Sequence, residues 1–177
     1  PDYDDEEPAY LYQNDEDFKH YINFVHNQLR ELLTNYGSIA GIWFDLISDY
    51  YYRPDLYPVE ETYQLIRELQ PQCLISFKQG VTGDEDYMSQ EREFVPLKKR
   101  LREGGASKKA VKLSEKAWQL NKYKWNEICT VMQDKGWAYY KDAQHVDADD
   151  IRKMLAYTSA NNCNLLLNTG LLPDGSV

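Results

Sequence analysis

Short apolar segments alternate with amphipathic helices along the chain, and this alternation is the feature that most restricts its fold. Each apolar segment is short enough to be one buried strand, and helical patterns separate the segments. Parallel strands need such helical crossovers, which are right-handed. The sequence therefore predicts an α/β domain with parallel βα repeats. The predicted strands are Ile39–Phe44, Cys73–Phe77, Glu127–Met132 and Cys163–Leu167.

The helices between these strands have recognisable beginnings and ends. Asp15 or Asp17 can cap the first helix, apolar residues recur after it at helical spacing, and Gly37 can end it. A second helix is predicted to begin at Pro58 and to end before Pro71. A third is predicted over Asp147–Ala160, where aspartates at the N-terminal end favour the helix dipole.

The charge of the chain argues against a nucleic-acid partner. Its net charge is −9 at pH 7 and its pI is about 4.8, whereas phosphate neutralisation needs a basic surface. Half of the Lys and Arg residues nevertheless lie between Pro96 and Lys124. This segment is either a basic partner-binding surface or one or two solvated helices broken at Gly104-Gly105. The apolar spacing within it favours the second interpretation.

Cofactor, metal and membrane signals are missing from the sequence. No glycine-rich phosphate-binding motif follows any predicted strand, and no apolar run approaches the ~18 residues of a membrane span. Cys73, Cys129 and Cys163 lie far apart in apolar runs, which favours buried free thiols over a disulfide or metal site. We therefore expect no cofactor, no metal and no membrane contact.

Polar residues follow the predicted strands, at the edge where parallel α/β folds place their chemistry. Asp45 follows the first strand, and an acid-rich loop from Lys78 to Glu93 follows the second. An aromatic segment, Gly136–Tyr140, follows the third, and Asn168-Thr169-Gly170 follows the fourth. Two carboxylate-bearing loops and an aromatic wall suit glycoside hydrolysis. The alternative is that Asp45 caps a helix or turn and that the acid-rich loop is merely solvated.

Several blocks of sequence, in order along the chain, resemble the α-L-fucosidases of glycoside hydrolase family 29. Together they span most of the chain, which makes the resemblance more specific than any single motif. The blocks are Asn27–Gly37 with Ile42–Asp45, Trp125–Cys129 with Gly136–Tyr139, and Asn162–Gly170 with Pro173–Gly175.

The resemblance implies that residues 1–177 are about the second half of a (β/α)₈ catalytic barrel whose N-terminal half is absent. It also implies a retaining hydrolase that releases terminal α-L-fucose from glycans through a covalent fucosyl-enzyme intermediate. Asp45 matches the nucleophile of the family. Glu91, in the block Asp86–Glu91, is the nearest match to the acid/base, with Glu93 as the reserve.

By the same resemblance, the predicted substrate-binding residues are Trp43, Lys78 and Trp137. Lys78 stands where some members of the family place a sugar-contacting arginine, and Trp137 matches an aromatic residue that packs against the sugar. The chain departs from the family pattern in four places. They are Leu46 for glycine, Ser89-Gln90 for Thr-Pro, Ala138 for glycine and Leu171 for proline.

Two other functions are consistent with the sequence. One is a non-catalytic relative that binds fucose or glycans, and the other is a half-barrel interaction module that uses the basic segment. A partial barrel has open edges, so we expect self-association through them and poor activity of the 177-residue chain alone. The resemblance implies a secreted, periplasmic or lysosome-like location.

Overall fold

The computed structural model of the chain describes residues 14–45 and 47–176, without the side chains of residues 48 and 49. One of the departures from the family pattern, Leu46, lies outside the described residues. The described strands are β1 (Gly41–Phe44), β2 (Leu74–Phe77), β3 (Tyr87–Glu91), β4 (Trp125–Val131) and β5 (Cys163–Asn168). The helices are α1 (Asp15–Asn35), α2 (Ile47–Tyr52), α3 (Val59–Leu69), α4 (Lys98–Glu103), α5 (Lys108–Asn121) and α6 (Ala148–Ala160).

The strands form one parallel sheet in the order in which they occur along the chain, β1-β2-β3-β4-β5. The connections are helical, apart from the loop between β2 and β3. Sequential parallel strands with helical crossovers are the repeating unit of a (β/α)₈ barrel. The predicted α/β fold is therefore confirmed, as are the predicted helices at α1, α3 and α6. The cap predicted for α1 is wrong, because Asn14 caps the helix and Asp15 and Asp17 lie inside it.

The prediction of four strands is wrong, because β3 lies inside the segment that was interpreted as an acid-rich loop. Only Tyr87 and Met88 in this strand are large and apolar, so it has no apolar run to mark it. Its polar residues are buried by tertiary contacts: Ser89 is fully buried and donates to Glu127 Oε1 of β4 at 2.6 Å. Helix α2 was not predicted either.

The apolar core lies between the helices and one face of the sheet. Ile75 and Phe77 of β2 point into it, whereas Ser76 between them belongs to the opposite face. The register continues this opposite face across the sheet, since Trp43 pairs with Ser76 and Ser76 with Tyr87. A residue just beyond the end of a strand that keeps the same alternation as Trp43 and Ser76 therefore has its side chain on this opposite face, away from the helices.

The basic segment forms two helices on either side of Gly104-Gly105, as the second interpretation of it predicted. Gly105 has φ +75°, a backbone conformation that favours glycine. Helix α4 contributes Leu101 to the core, and α5 contributes Ala110 and Ala117. The apolar spacing of the segment therefore reflects packing, with the cations on the outer side.

The three cysteines are free, with Cys73 and Cys129 buried and Cys163 partly exposed. Among the described residues, no group of three or more His, Cys, Asp or Glu side chains is placed to hold a metal ion. No helix in the described part of the chain is both long enough and apolar enough to span a membrane.

Candidate active site

The parallel register of β1 and β2 brings Asp45 and Lys78 together. Phe44 pairs with Phe77, so the next residue of each strand leaves the sheet at the same edge. Lys78 Nζ lies 3.2 Å from Asp45 Oδ1. The lysine is only 8% exposed and has φ +46°, a conformation that is rare for a residue with a side chain. A buried ammonium needs a charged partner, and Asp45 supplies it.

Glu91, the last residue of β3, reaches the same ammonium from the other side. Its Oε2 lies 3.9 Å from Lys78 Nζ, and the neighbouring Cys129 Sγ lies 3.8 Å from it. Because both ion pairs share Nζ, contacts of 3.2 and 3.9 Å place the carboxylate oxygens of Asp45 and Glu91 at most about 7 Å apart. Two strands that are not adjacent in the sheet thus bring their carboxylates to one cation.

Glu93, the reserve acid, points elsewhere. It is exposed and makes no ion pair with Lys78 within the described ranges. Two cavities adjoin the site, and both are described below. Glu93 lines the second of them and does not line the first, which contains the aromatic residues. Of the two candidates, Glu91 is the one that the structure places beside Asp45.

A cavity of about 300 Å³ adjoins the two carboxylates, and we call it the aromatic cavity. Trp43 forms part of its wall, with Lys78 Nζ 4.4 Å from the ring centroid. Trp137 forms another part, and Asn168 Nδ2 donates to its backbone carbonyl. The other lining residues are Asp45, Glu91, Cys129, Leu166 and Leu167. The five predicted site residues therefore line one cavity, and the reserve acid Glu93 does not.

A second cavity of about 270 Å³ shares Asp45, Lys78 and Glu91 with the first, and we call it the polar cavity. It extends from the end of β3 to α4. Its lining includes Ser89, Gln90, Glu93, Lys99, Arg100 and Glu103.

A buried glutamine holds the backbone beside Lys78, and sequence reasoning missed it. Gln79 is 1% exposed, and its Nε2 donates to Tyr51 Oη and to the Ser114 carbonyl, both at 3.1 Å. Its Oε1 accepts from the Leu97 backbone N–H at 2.9 Å. The side chain therefore ties the residue after Lys78 to α2, α5 and the start of α4. A lone glutamine after a strand gives no signal from which this role could be read.

Tyr51 reinforces this connection from the segment that follows Asp45. Its hydroxyl donates to the Gly80 carbonyl at 2.6 Å, and burial raises the pKa of the phenol well above its usual range. Helix α2 begins two residues after Asp45. Tyr51 and Gln79 therefore link the backbone that follows Asp45 to the backbone that follows Lys78.

Sequence reasoning also missed two residues that lie next to the site, Arg92 and Cys129. The guanidinium of Arg92 lies 5.7 Å from the Trp137 ring centroid, and it can hold that ring in place. Cys129 lies on the floor of the aromatic cavity, where burial raises the pKa of its thiol despite the nearby Lys78 ammonium. The thiol therefore stays protonated near neutral pH. The position of Cys129 depends on its register with Glu91, which the sequence does not show.

The family model for α-L-fucosidases matches residues 2–177 of the chain. The chain belongs to the α-L-fucosidase family. This confirms the resemblance that the sequence blocks indicated, and it agrees with the parallel βα repeats of a barrel. A comparison with curated proteins gave no match.

Solved structures of α-L-fucosidases share the fold of this family member. One is α-L-fucosidase AlfC from Lactobacillus casei, in complex with its α-L-fucose product. It is 24% identical with a TM-score of 0.59, over 90% of this chain and 41% of that one. Another is α-L-fucosidase isoenzyme 1 from Paenibacillus thiaminolyticus. It is 25% identical with a TM-score of 0.64, over 97% of this chain and 38% of that one. The chain thus spans about two fifths of these relatives.

Proposed function

We propose that residues 1–177 are part of the catalytic barrel of a retaining α-L-fucosidase, and that the complete enzyme releases terminal α-L-fucose from glycans. The observation that carries the proposal is the convergence of Asp45 and Glu91 on Lys78 Nζ, at 3.2 and 3.9 Å, beside a cavity with two tryptophans. Membership in the α-L-fucosidase family supports the choice of sugar.

The retaining mechanism is proposed from the family, and the positions of the two carboxylates are consistent with it. Retaining glycosidases place their carboxyl groups about 5–5.5 Å apart, whereas inverting enzymes need about 6.5–9.5 Å to fit a water molecule. The contacts to Lys78 place Asp45 Oδ1 and Glu91 Oε2 within about 7 Å of each other, a range that includes the retaining arrangement.

In the first step, an Asp45 carboxylate oxygen forms a bond to the anomeric carbon of fucose while the bond to the leaving oxygen breaks. Glu91 donates its proton to that oxygen. In the second step, Glu91 takes a proton from water, the water oxygen bonds to the anomeric carbon, and Asp45 departs as a carboxylate. Asp45 and Glu91 regain their starting states, so no cofactor is consumed.

The remaining site residues bind the sugar in this proposal. Trp43 and Trp137 offer flat apolar surfaces to the sugar ring. Lys78 pairs with the Asp45 carboxylate before substrate arrives, and its ammonium can donate to a sugar hydroxyl once the substrate is bound. A lysine offers a compact charge in place of the bidentate contact of an arginine.

The proposal is tested in the complete enzyme with Asp45→Ala, Glu91→Ala and Glu93→Ala, assayed on an aryl α-L-fucoside. We expect the first two variants to lose activity by orders of magnitude and Glu93→Ala to retain most of it. Azide should restore turnover of Glu91→Ala and give the fucosyl azide with retained configuration. Full activity of Glu91→Ala with loss in Glu93→Ala would reassign the acid/base.

We propose that the isolated chain has low activity because it forms only part of the barrel. Among the described residues, β1 and β5 each pair on one side only, so both edges are open to another strand. We propose that other parts of the complete barrel cover these edges, and that the isolated chain self-associates through them. Size-exclusion chromatography and a fucoside assay of the 177-residue chain test both statements; a fully active monomer would contradict them.

A further inference from the structure

Trp137 lies in a loop that has little apolar packing of its own. The loop consists of residues 133–145, and we call it the tryptophan loop. The antiparallel pairing of Gln133 with His145 closes its base. Residues 134–142 are exposed, and Trp137 itself is 41% exposed. Burial therefore contributes little to the position of the Trp137 ring, and hydrogen bonds within the loop matter more.

Gln133 makes such hydrogen bonds from inside the loop. Its side chain is only 4% exposed, in contrast to the residues that follow it. Its Nε2 donates to the Lys135 carbonyl at 2.8 Å and to the Ala138 carbonyl at 2.5 Å. Both N–H donors of the amide are therefore used. Since the two carbonyls lie on either side of Trp137 in the sequence, one side chain fixes the backbone before and after the tryptophan.

The same amide ties the tryptophan loop to the segment that follows β5. Gln133 Oε1 accepts from the Gly170 backbone N–H at 2.9 Å. Gly170 approaches the loop so closely that an added Cβ would lie 2.6 Å from the carbonyl carbon and oxygen of Ala138. Asn168, two residues earlier, donates from Nδ2 to the Trp137 carbonyl. The backbone of the tryptophan is therefore held against the end of β5, which lines the aromatic cavity.

The ring of Trp137 is approached from another strand. Arg92 directly follows Glu91 of β3, and its guanidinium lies 5.7 Å from the ring centroid. The backbone of Trp137 is thus held at β5, while its ring lies beside the residue that follows the proposed acid/base. A flat aromatic surface stacks on a sugar only if its position and tilt are right, so the hydrogen bonds that fix the backbone also affect the stacking.

We propose that Gln133 is a positioning residue, whose side-chain amide holds Trp137 in the place where its ring packs against the fucose ring. This inference rests on the proposed function and adds to it a residue outside the cavity walls. Among the described residues, Gln133 is not one of those that line the aromatic cavity or the polar cavity. It therefore acts on the sugar through Trp137.

The test measures the inhibition constant of L-fucose against hydrolysis of an aryl α-L-fucoside by the complete enzyme. Gln133→Met keeps the length of the side chain and removes its hydrogen bonds. We expect Trp137→Ala and Gln133→Met each to raise the inhibition constant by about 3- to 10-fold, the value of one aromatic stacking contact. The value of kcat should change much less, because the ring packs on the sugar in the ground state and the transition state alike.

The double variant Gln133→Met/Trp137→Ala shows whether Gln133 acts through the tryptophan. We expect the inhibition constant of the double variant to equal that of Trp137→Ala, since the amide then has no ring to position. A role of Gln133 in overall stability alone would not give this result.

Gln144→Met is the matched control, because it removes an exposed amide from the same loop, and it should leave the inhibition constant unchanged. Thermal unfolding checks that each variant is folded. If Gln133→Met does not fold, Gly170→Ala takes its place in the same comparison, since its added Cβ displaces the loop at Ala138 and leaves Gln133 unaltered.

The possible results separate this inference from the proposed function. An inhibition constant that Gln133→Met or Trp137→Ala leaves unchanged overturns the inference, as does a wild-type enzyme that hydrolyses the fucoside without inhibition by L-fucose. The same fold-change for Gln133→Met with and without Trp137 also overturns it, because the amide would then act through another contact. A wild-type enzyme that does not hydrolyse aryl α-L-fucosides overturns the proposed function itself.

Discussion

Glu85 and Glu91 lie six residues apart, and the structure uses their carboxylates in opposite ways. Glu85 is 1% exposed and accepts five hydrogen bonds, whereas Glu91 is partly exposed and has Lys78, at 3.9 Å, as its ion-pair partner among the described residues. The donors to Glu85 are Tyr63 Oη, the backbone N–H groups of Val81, Thr82 and Gly83, and Asn121 Nδ2.

This difference shows how the hydrogen bonds of a carboxylate distinguish a group that stabilises the fold from one that can take part in catalysis. A buried carboxylate whose oxygens are fully hydrogen-bonded has no acceptor capacity left for a substrate, and it fixes the loop around it. A carboxylate at a cavity wall with few partners remains available for proton transfer. Glu85 therefore holds the loop between β2 and β3, and Glu91 faces the aromatic and polar cavities.

The largest effect is expected at Glu91. In the complete enzyme, Glu91→Gln should lower kcat/KM for a fucosyl disaccharide by about 10²–10⁴-fold, because the leaving oxygen loses its proton donor. Since few contacts depend on the carboxylate, the melting temperature should change little. Steady-state kinetics and thermal unfolding measure the two effects. Equal activity in Glu91→Gln and wild type would remove the distinction between the two glutamates.

The next effect is expected at Glu85 and concerns stability. Glu85→Ala leaves several buried donors without an acceptor, so the free energy of unfolding should fall by about 3 kcal/mol or more. Urea unfolding of the complete protein measures this loss. Asp84→Ala, in the same loop but exposed, is the control and should change the free energy by no more than about 0.5 kcal/mol. A similar loss in both variants would contradict the assigned role of Glu85.

A smaller effect is expected at Gly80, which approaches Glu85 closely. Gly80 has φ +87°, and an added Cβ would lie 2.0 Å from Asn121 Nδ2 and 2.9 Å from Glu85 Oε2. Gly80→Ala should therefore destabilise the protein by about 2–3 kcal/mol.

Gly175 provides a matched control for that substitution. It has φ +86° and nothing within 4 Å of an added Cβ, so Gly175→Ala should cost only the backbone strain, about 1 kcal/mol. Denaturant unfolding of the two variants separates the strain from the collision. Equal losses of unfolding free energy in the two variants would mean that the close approach of Gly80 to Asn121 and Glu85 does not affect stability.

The smallest effect is a pH dependence at Tyr63. Burial, and then the adjacent Glu85 carboxylate, raise the pKa of the Tyr63 phenol well above 10. The unfolded phenol loses its proton near pH 10, whereas the folded one keeps it, so stability is lost as the pH rises above about 10.

Tyr63→Phe should therefore reduce the slope of stability against pH above about 10. Tyr123→Phe, which alters a residue that is 88% exposed, should leave that slope unchanged. Unfolding free energies measured between pH 8 and pH 11 test this difference. An unchanged slope in Tyr63→Phe would show that Tyr63 ionises as readily in the folded protein as in the unfolded chain.

The comparison of Glu85 with Glu91 also shows what could not be predicted from the sequence alone. Both residues lie in a polar, acid-rich segment, and the apolar spacing that identified β1, β2, β4 and β5 is missing there. Strand β3 was overlooked for this reason, since Ser89 and Gln90 are buried by their neighbours rather than by their own hydrophobicity. The choice of Glu91 came from a family resemblance and not from periodicity.

The sequence by itself determined the alternation of four apolar strands with helices, the approximate bounds of α1, α3 and α6, and the family, because apolar spacing, caps and motif blocks are local along the chain. It also identified Asp45, which directly follows an apolar strand. Only the tertiary structure decided that Asp45 and Glu91 meet at Lys78, that Glu85 does not join them, and that Gln79 supports the site. Those relations depend on strand register and on which face each side chain occupies, and both are fixed by contacts between segments distant in sequence.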